Sequence, residues 1–420
     1  MTEVIGKTEN KKGYKKTKLG WIPEDWKMVC FKELFDEVVN LSNDTETYPL
    51  YSLTLENGVT PKTERYERSH LLKDKNENEF KLISEGEIAI NPMNLRFGAF
   101  FMSKVPETVS LSAYYDIVKA KKDTVNVIFY DAFMKSASAR RLYQRIATGS
   151  LDEKKRIHLS ELKKQLVPYP KKEEQDKIAE ILSTWDEGIE TLEKLIEQKE
   201  IFHKALMKNL LIGKIRLFGY NSKWTHSKFN SIFERITRKN EELNSNILTI
   251  SAQNGLISQK DFYNKRIASV DTSKYILLKN GEFAYNKSYS NGYPLGAIKR
   301  LDLYEKGVVS SLYICFKLNN SDNCSDFWKY YFEAGMLNRE IKMIAQEGAR
   351  NHGLLNMATE DFFNMLLYHP KDSKEQQKIA EILNKSDKEM QLLNSKLEKL
   401  KEQKKGLMQK LLTGQIRVKV

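Results

Sequence analysis

Two long segments of the chain place apolar residues every three or four positions, a spacing that forms one face of an α-helix. The first segment runs from Glu173 to Leu211, and the second repeats the pattern near the end of the sequence. Each segment follows a proline, Pro170 or Pro370, and ends at a glycine, Gly213 or Gly414, which are start and stop signals of helices. The pattern therefore predicts two helices of about 38 residues, each roughly 57 Å long.

The apolar stripe of each segment is narrow and has charged flanks, which is more typical of a coiled coil than of a surface helix. Neither helix buries its stripe alone, so we expect the two to pack together antiparallel rather than to be unrelated dimerisation helices. Lys199, His203 and Lys404 fall on the stripe and indicate a weak or register-setting stretch. The residues predicted to form the coiled coil are Ile181, Trp185, Ile189, Leu192, Ile196, Leu206, Leu210, Ile382, Met390, Leu393, Leu397, Leu400, Leu407 and Leu411.

The two helical segments are copies of one sequence. At a constant offset of 201, residues 177–216 and 378–417 are identical at 17 of 40 positions without a gap, and both begin with KIAEIL. The stretches before the helices match more faintly, for example in the spacing of Trp26, Phe31 and Phe35 against Trp224, Phe229 and Phe233. This is an internal duplication, and it covers most of the chain.

Short β-branched and aromatic segments, broken by Asn-Gly pairs, precede each helix and predict strands and turns. The predicted fold class is therefore α+β: two similar globular α/β domains separated by two long α-helices that form an antiparallel coiled coil, with a pseudo-twofold internal repeat. The predicted boundaries are residues 1–170 for the first domain, 171–216 for the first helical spacer, 217–370 for the second domain and 371–420 for the second spacer.

The loops between the matching framework positions differ. NPMNLRFGA (91–99) stands against NKSYSNGYPLGA (286–297), and TGSLDEKKRIHL (148–159) stands against QEGARNHGLL (346–355). Two modules that read two different targets would show this pattern, because specificity lies in the side chains that reach a ligand. Neutral drift of surface loops after the duplication predicts the same divergence.

A net charge of +13 favours a polyanionic partner such as nucleic acid, although a genome that over-uses lysine would give the same excess. The three cysteines form no C-x-x-C pair, so neither a disulfide framework nor a cysteine zinc site is expected. The sequence contains no apolar run long enough to span a membrane and no secretory leader pattern, which favours a cytoplasmic location.

Motifs for catalysis are weak or missing. Neither a dinucleotide-binding G-x-G-x-x-G nor a P-loop occurs, and the six histidines have no metal-ligand spacing. NPMN (91–94) lacks the second proline and the aromatic residue of an adenine methyltransferase box. We therefore expect no catalytic residue, no bound cofactor and no metal in this chain, and we disfavour a self-contained nuclease or methyltransferase.

Three motifs in this order resemble one known family, the DNA-specificity (S) subunits of type I restriction-modification systems. They are KLGWIP (18–23) followed by Trp26, the duplicated Glu-Gln-x-x-Ile-Ala-x-Ile-Leu after a proline, and the duplicated Leu-Leu-x-Gly-x-Ile-Arg. The resemblance covers the chain after about residue 14. It departs in YNSKW (220–224), which lacks the proline, and at Trp185, where the second copy has Ser386.

The resemblance implies a non-catalytic subunit whose two target-recognition domains each read one half of a bipartite, asymmetric sequence in double-stranded DNA. It also implies partners: methyltransferase (M) subunits, in two copies, that bind S-adenosylmethionine and modify adenine, and motor-nuclease (R) subunits that use ATP and Mg²⁺. The alternative is a coiled-coil scaffold or regulatory protein that does not read DNA.

Within the divergent loops, arginine can pair with guanine and asparagine with adenine, so these loops hold the predicted DNA contacts. The predicted DNA-binding residues are Asn91, Asn94, Arg96, Lys154, Lys155 and Arg156 in the first domain, and Asn286, Lys287, Tyr289, Asn291, Arg350, Asn351 and His352 in the second. KLGW (18–21) also resembles LFGY (217–220), so the chain reads almost as a closed circle. We therefore expect Lys18 and Arg417 to lie at the same end of the molecule.

Overall fold

A computed structural model describes residues 12–62, 79–121, 123–151, 155–251, 254–260, 271–290, 292–320, 322–347 and 355–420. The chain forms two compact units. Unit 1 comprises residues 1–192 and 396–420, and unit 2 comprises residues 193–395. The sequence predicted four segments, two domains and two helical spacers, with each long helix as a segment of its own. That division stays a prediction.

Unit 1 is built mainly from short strands, as its β-branched and aromatic segments predict. Its strands are β1 (Tyr14–Thr17), β2 (Gly20–Pro23), β3 (Lys27–Cys30), β4 (Phe35–Glu37), β5 (Leu41–Ser42), β6 (Tyr51–Thr54), β7 (Gly58–Pro61), β8 (Phe80–Ile83), β9 (Ile88–Ile90), β10 (Phe100–Met102), β11 (Val109–Ser112), β12 (Asp116–Ala120) and β13 (Leu166–Tyr169). Its short helices are α1 (Phe31–Leu34), a 3₁₀ turn (Leu95–Phe97), α2 (Val127–Met134), α3 (Ala137–Ile146) and α4 (Leu159–Lys163). The long helix α5 (Lys172–Leu211) follows.

Unit 2 repeats much of this order of elements from β3 onward. Its strands are β14 (Thr225–Lys228), β15 (Phe233–Arg235), β16 (Leu248–Ser251), β17 (Gly255–Ser258), β18 (Ile276–Lys279), β19 (Phe283–Asn286), β20 (Ala297–Arg300), β21 (Lys306–Val309), β22 (Ile314–Leu318), β23 (Gln346–Glu347), β24 (Leu355–Asn356) and β25 (Leu366–His369). Its helices are α6 (Phe229–Ile232), α7 (Ser325–Glu333), α8 (Asn338–Ile344), α9 (Thr359–Asn364) and the long α10 (Ser373–Leu411).

The two units share one sheet topology. The four-stranded antiparallel sheet has the order β10-β9-β12-β4 in unit 1 and β20-β19-β22-β15 in unit 2. A two-stranded ribbon, β3 with β13 or β14 with β25, joins the strand before the first short helix to the strand before the long helix. The predicted α+β class and internal repeat are thereby confirmed.

The start of one long helix shares a core with the end of the other inside each unit, so the two helices run antiparallel there. The contributing side chains are Ile178, Leu182, Leu411 and Leu412 in unit 1, and Leu210, Leu211, Ile379 and Leu383 in unit 2. Burial of each such aliphatic side chain contributes about 1.5–3 kcal/mol. These contacts tie each globular core to both helices.

A buried carboxylate at the start of α5 closes unit 1. Glu174 is 4% exposed and accepts hydrogen bonds from Trp26 Nε1 at 2.9 Å and from Arg417 Nε at 2.8 Å. Arg417 also donates to both carboxylate oxygens of Asp25, at 3.0 and 2.8 Å, and this holds the pKa of Asp25 below its usual value. The buried charge is therefore both paired and hydrogen-bonded.

The corresponding three side chains close unit 2. Glu375 is 1% exposed and lies 3.3 Å from Trp224 Nε1 and 2.9 Å from Arg216 Nε. Arg216 also donates hydrogen bonds to two backbone carbonyls, at 3.0 and 2.9 Å. We call Trp26–Glu174–Arg417 and Trp224–Glu375–Arg216 the two clasps.

The glutamine that follows each clasp carboxylate is also buried and orders the neighbouring helix. Gln175 Oε1 accepts from the amide of Asn126 at 2.9 Å, immediately before α2. Gln376 Oε1 accepts from the amide of Cys324 at 3.0 Å, immediately before α7. The repeated Glu-Gln pair is thus the joint between each globular core and its long helix.

Residues near the two ends of the sequence meet in unit 1. The Tyr14 hydroxyl donates to the carbonyl of Gly414 at 2.9 Å. Gly414 has a φ of +65°, and a Cβ on it would lie 2.3 Å from Pro23 Cγ, so the contact requires glycine. Together with the bonds from Arg417 to Asp25, this confirms that Lys18, between β1 and β2, and Arg417 lie at the same end.

The described residues contain no helix with both the length and the apolar character needed to cross a membrane. Cys30, Cys315 and Cys324 are free thiols.

Candidate nucleic-acid interface

The first predicted loop of unit 1 follows β9 and is shaped by Asn91. Asn91 is 8% exposed, and its Oδ1 accepts from the amide of Met93 at 3.1 Å, a local turn that asparagine commonly makes. Asn94 accepts through its carbonyl from the amide of Phe97 at 2.9 Å. The Asn91 side-chain oxygen therefore holds the loop, while Asn94 and Arg96 are half-buried at its surface.

The second predicted loop of unit 1 returns beside the first. Thr148 and Arg156 exchange two backbone hydrogen bonds of 2.9 and 2.8 Å, and the amide of Ile157 donates to the carbonyl of Pro92 at 3.0 Å. The structure thereby brings Lys155 and Arg156 next to residues 91–99. Lys154 lies outside the described residues.

A basic pocket of about 440 Å³ lies where these loops meet helix α3. The residues that line it are Arg96, Phe97, Arg140, Gln144, Ala147 and Lys155. Arg96 and Lys155 belong to the predicted set, whereas Arg140 and Gln144 were missed. Their signal in the sequence is the amphipathic stretch ASARRLYQRI, whose arginines occupy the face opposite Leu142 and Tyr143.

Arg156 faces a different cavity. Its guanidinium carbon lies 5.7 Å from the ring centroid of Tyr114, in a cavity of about 380 Å³ that Asp116 and His158 also line. Burial raises the pKa of Asp116, and the nearby Lys81 ammonium only partly opposes that rise. This cavity therefore combines acidic and basic groups, unlike the basic pocket.

Unit 2 builds its two loops in the same way. Asn286 Oδ1 accepts from the amide of Ser288 at 3.1 Å, and the amide of Leu355 donates to the carbonyl of Lys287 at 3.1 Å. Lys287 is half-buried, and Tyr289 is 63% exposed at the tip of the loop. The other predicted contacts of this unit, Asn291, Arg350, Asn351 and His352, lie outside the described residues.

The loop of unit 2 is supported by an ion-pair cluster. Lys299 lies 2.5 Å from Glu333 and 3.0 Å from the hydroxyl of Tyr293, which itself donates to Glu333. Burial and the Glu333 carboxylate raise the pKa of Tyr293, so its hydroxyl remains a donor. The same loop in unit 1 is bordered by the basic pocket instead.

A polar network connects the sheet of unit 2 with both long helices. Its members are Arg300 on β20, Asp326 and Tyr330 on α7, Asn384, Ser386 and Asp387 on α10, and His203 on α5. The Tyr330 hydroxyl lies 2.5 Å from Asp387 Oδ2, and His203 lies 3.2 Å from Asp387 Oδ1. His203, which the sequence places on the apolar stripe, is thus held by its contacts with Ser386 and Asp387.

Along the helices, the residues predicted for the coiled coil are buried or half-buried. The buried ones are Leu192, Ile196, Leu210, Leu397 and Leu411; the half-buried ones are Ile181, Trp185, Ile189, Leu206, Ile382, Met390, Leu393, Leu400 and Leu407. The polar seam residues have partners across the helix pair: Lys404 binds Asp186, and Lys199 lies 2.7 Å from Glu389.

Within the described ranges, no group of three or more histidine, cysteine or carboxylate side chains is arranged to hold a metal ion. The candidate interface is thus a surface of basic, amide and aromatic side chains, which are the groups that contact nucleic acids.

Comparison with known proteins shows which family the chain resembles. The family model described as the type I restriction modification DNA specificity domain matches residues 23–201. The chain is 22% identical over 436 residues to the putative type I restriction enzyme MjaX specificity subunit of Methanocaldococcus jannaschii, and the match covers 97% of each protein. The chain is similar to the type I specificity subunits.

A second relative is the type I restriction enzyme MjaVIII specificity subunit of the same organism, 27% identical over 226 residues, which are 50% of this chain and 51% of the relative. Two solved structures share the fold. The S subunit of a type I system from M. genitalium has a TM-score of 0.52 at 15% identity, and the match covers 92% of this chain and 96% of that one. A chain from a study of complex assembly in the type I system has a TM-score of 0.56 at 12% identity, covering 94% and 99%.

The similarity to specificity domains and subunits supports a DNA sequence-recognition component rather than an enzyme, as the sequence indicated.

Proposed function

We propose that unit 1 and unit 2 each read one half of a bipartite, asymmetric sequence in double-stranded DNA. One observation carries the proposal: the two units close through equivalent clasps and shape equivalent loops through Asn91 and Asn286, yet the loop side chains differ. A repeated scaffold with unlike side chains at its loops is suited to two different half-sites, because contacts to base edges carry the sequence information.

The chemistry that follows recognition takes place on partners. Methyltransferase subunits, in two copies, supply S-adenosylmethionine and modify adenines, and motor-nuclease subunits supply ATP and Mg²⁺. The duplicated long helices offer these partners two equivalent surfaces, as expected for a pseudo-twofold assembly. This specificity subunit holds none of the three cofactors itself and acts in the cytoplasm.

The loop residues named above would make the base contacts. Arg156 and Tyr289 serve as the most direct probes, because their side chains are exposed in unit 1 and unit 2 respectively. An arginine that pairs with guanine contributes roughly 1–3 kcal/mol of discrimination against the wrong base.

A map of methylated adenines tests the proposal in the host cell, with the gene intact and deleted. We expect one split motif, two defined halves around an unspecified spacer, to lose its methylation on deletion and to regain it when the gene is restored. Loss of a continuous, unsplit motif would contradict reading by two units. An unchanged methylation pattern beside an active methyltransferase partner would favour the scaffold alternative.

A further inference from the structure

Helix α3 presents a basic face next to the first DNA-reading loop. Leu142 and Tyr143 on its inner face are buried in the core of unit 1, and the Tyr143 hydroxyl donates to the carbonyl of Met134 at 2.8 Å. The exposed residues of this helix include Arg140, Gln144 and Arg145. The core contacts fix the helix, so the position of its outer face is fixed as well.

Arg140 and Gln144 face the loop that contains Arg96. Arg140 Nη2 lies 3.9 Å from the position that a Cβ would take on Gly98, which places the guanidinium against this loop. The guanidinium carbon of Arg96 lies 4.5 Å from the ring centroid of Phe97, and Phe97 is 51% exposed. With Lys155 from the second loop, three cations from three separate elements converge on one pocket.

Three converging cations fit an anion better than they fit a base. The edge of a guanine accepts two hydrogen bonds from one arginine, so additional cations around it would gain little. A phosphodiester carries a full negative charge and accepts charge-assisted bonds from several donors, and its neutralisation releases counterions. Arg145 is exposed on the same helix but lies outside the pocket.

We propose that the basic pocket of unit 1 holds a backbone phosphate next to its half-site, and that Arg140 sets affinity rather than sequence. The proposal rests on the proposed DNA-reading function and refines it, because it makes Arg96 and Lys155 backbone contacts instead of base contacts. Base reading in unit 1 is left to the other loop residues, including Asn94 and Arg156.

Among the described residues of unit 2, the position equivalent to Arg140 holds no arginine. Arg140 lies eight residues before the Thr148–Arg156 pair, and the residue eight before the equivalent Gln346–Asn356 pair is Asn338. The cavity beside Asn338 is bordered by Tyr293 and Glu333 of the ion-pair cluster. Lys204 and Lys208 of α5 also line this cavity, but the position equivalent to Arg140 is uncharged, so the phosphate contact through this helix position is assigned to unit 1.

Salt-dependent binding tests the assignment, with the full chain in complex with its methyltransferase partner. The probes are a duplex that carries the mapped target sequence and a scrambled duplex of the same composition. In R140Q, we expect the slope of log K against log salt to fall in magnitude by about 1, with weaker binding to both duplexes and an unchanged ratio between them. R140K keeps the charge and should keep the slope.

The matched control is R145Q, which removes an exposed arginine from the same helix outside the pocket. A loss of slope in R145Q equal to that in R140Q would overturn the pocket, because the effect would then be one of general charge. A changed preference among bases in R140Q would overturn it in favour of base reading. Thermal unfolding checks that the variants are folded, and wild-type chain that cannot distinguish the two duplexes would refute the proposed function itself.

Discussion

The two units are alike where they close and different where they face a ligand. Each is held by a tryptophan, a buried glutamate and an arginine at corresponding positions. Beside the loops, unit 1 has a pocket with three cations, whereas unit 2 has the ion pair of Lys299 with Glu333. The joint with the helices is therefore alike in the two units, while the surroundings of the loops differ.

The divergence next to the loops includes an exchange of charge between equivalent positions. In unit 1, the Nζ of Lys135, the residue directly after α2, lies 3.9 Å from the ring centroid of Phe101 on β10. The positions 198 residues later are Glu333 on α7 and Lys299 on β20, which form the ion pair of unit 2. The cation follows the helix in unit 1 and lies on the strand in unit 2. Each unit therefore has a positive charge where this helix meets this strand.

Breaking the clasps should give the largest change in stability. R216M leaves Glu375, 1% exposed, without a cation, and R417M does the same to Glu174, 4% exposed. An unpaired buried carboxylate costs about 3–5 kcal/mol, so we expect each variant to lower the free energy of unfolding by about 3 kcal/mol. Urea unfolding followed by circular dichroism measures the change.

Matched controls for the clasp variants are K177M and K378M, which remove cations from the exposed pairs Lys177–Glu180 and Lys378–Glu381. We expect no measurable change for either control. Clasp variants that unfold at the same urea concentration as the controls would show that the clasps contribute nothing to stability.

Removal of one hydroxyl from the polar network should destabilise unit 2, and unit 1 has no equivalent hydroxyl. Tyr330 is 3% exposed, and the matching position of α2 is Ala132. Burial and the hydrogen bond to Asp387 raise the pKa of Tyr330, so the hydroxyl remains a donor. We expect Y330F to cost about 1–2 kcal/mol. Y289F, which removes an exposed hydroxyl from the same unit, should cost nothing in the same unfolding assay.

Mild acid should lower the stability of unit 2 through His369, whose counterpart in unit 1 is Tyr169. Its Nδ1–H donates to the carbonyl of Pro370 at 2.9 Å, its Nε2 accepts from Ser227 at 3.0 Å, and burial lowers its pKa. The unfolded chain therefore takes up a proton before the folded chain does, and stability falls as the pH drops below about 6.5.

We expect a smaller decrease in melting temperature between pH 7.5 and pH 5.5 for H369Q than for the wild type. The proton uptake that drives part of the decrease is lost in this variant. H158Q, in the mixed-charge cavity of unit 1, is the control. An unaltered pH dependence in H369Q would mean that other groups set the acid response.

Local sequence patterns were sufficient to predict the helices and the repeat. The apolar stripe predicts α5 and α10 because the stripe residues of each helix are buried or half-buried. The two predicted loops of unit 1 also converge, and in unit 2 the amide of Leu355, at the end of the second loop, donates to the carbonyl of Lys287 in the first.

The details of the interface depend on tertiary contacts that spacing does not reveal. Arg140 is distant in sequence from residues 91–99, and only the packing of α3 brings it next to Gly98. Asn91 was predicted to contact DNA, but its oxygen caps the turn, a local use that an asparagine just after a strand could have indicated. The clasp partners Trp26, Glu174 and Arg417 likewise meet only in the folded chain.

A methylated-adenine map from cells in which R156A or Y289A replaces the wild-type chain tests directly whether each unit reads its own half of the target sequence. We predict that R156A relaxes or abolishes recognition of one half of the split motif and that Y289A affects only the other half. Reading of one half-site by each unit would be contradicted if both variants altered recognition of the same half. Loss of recognition of both halves together in either variant would contradict it as well.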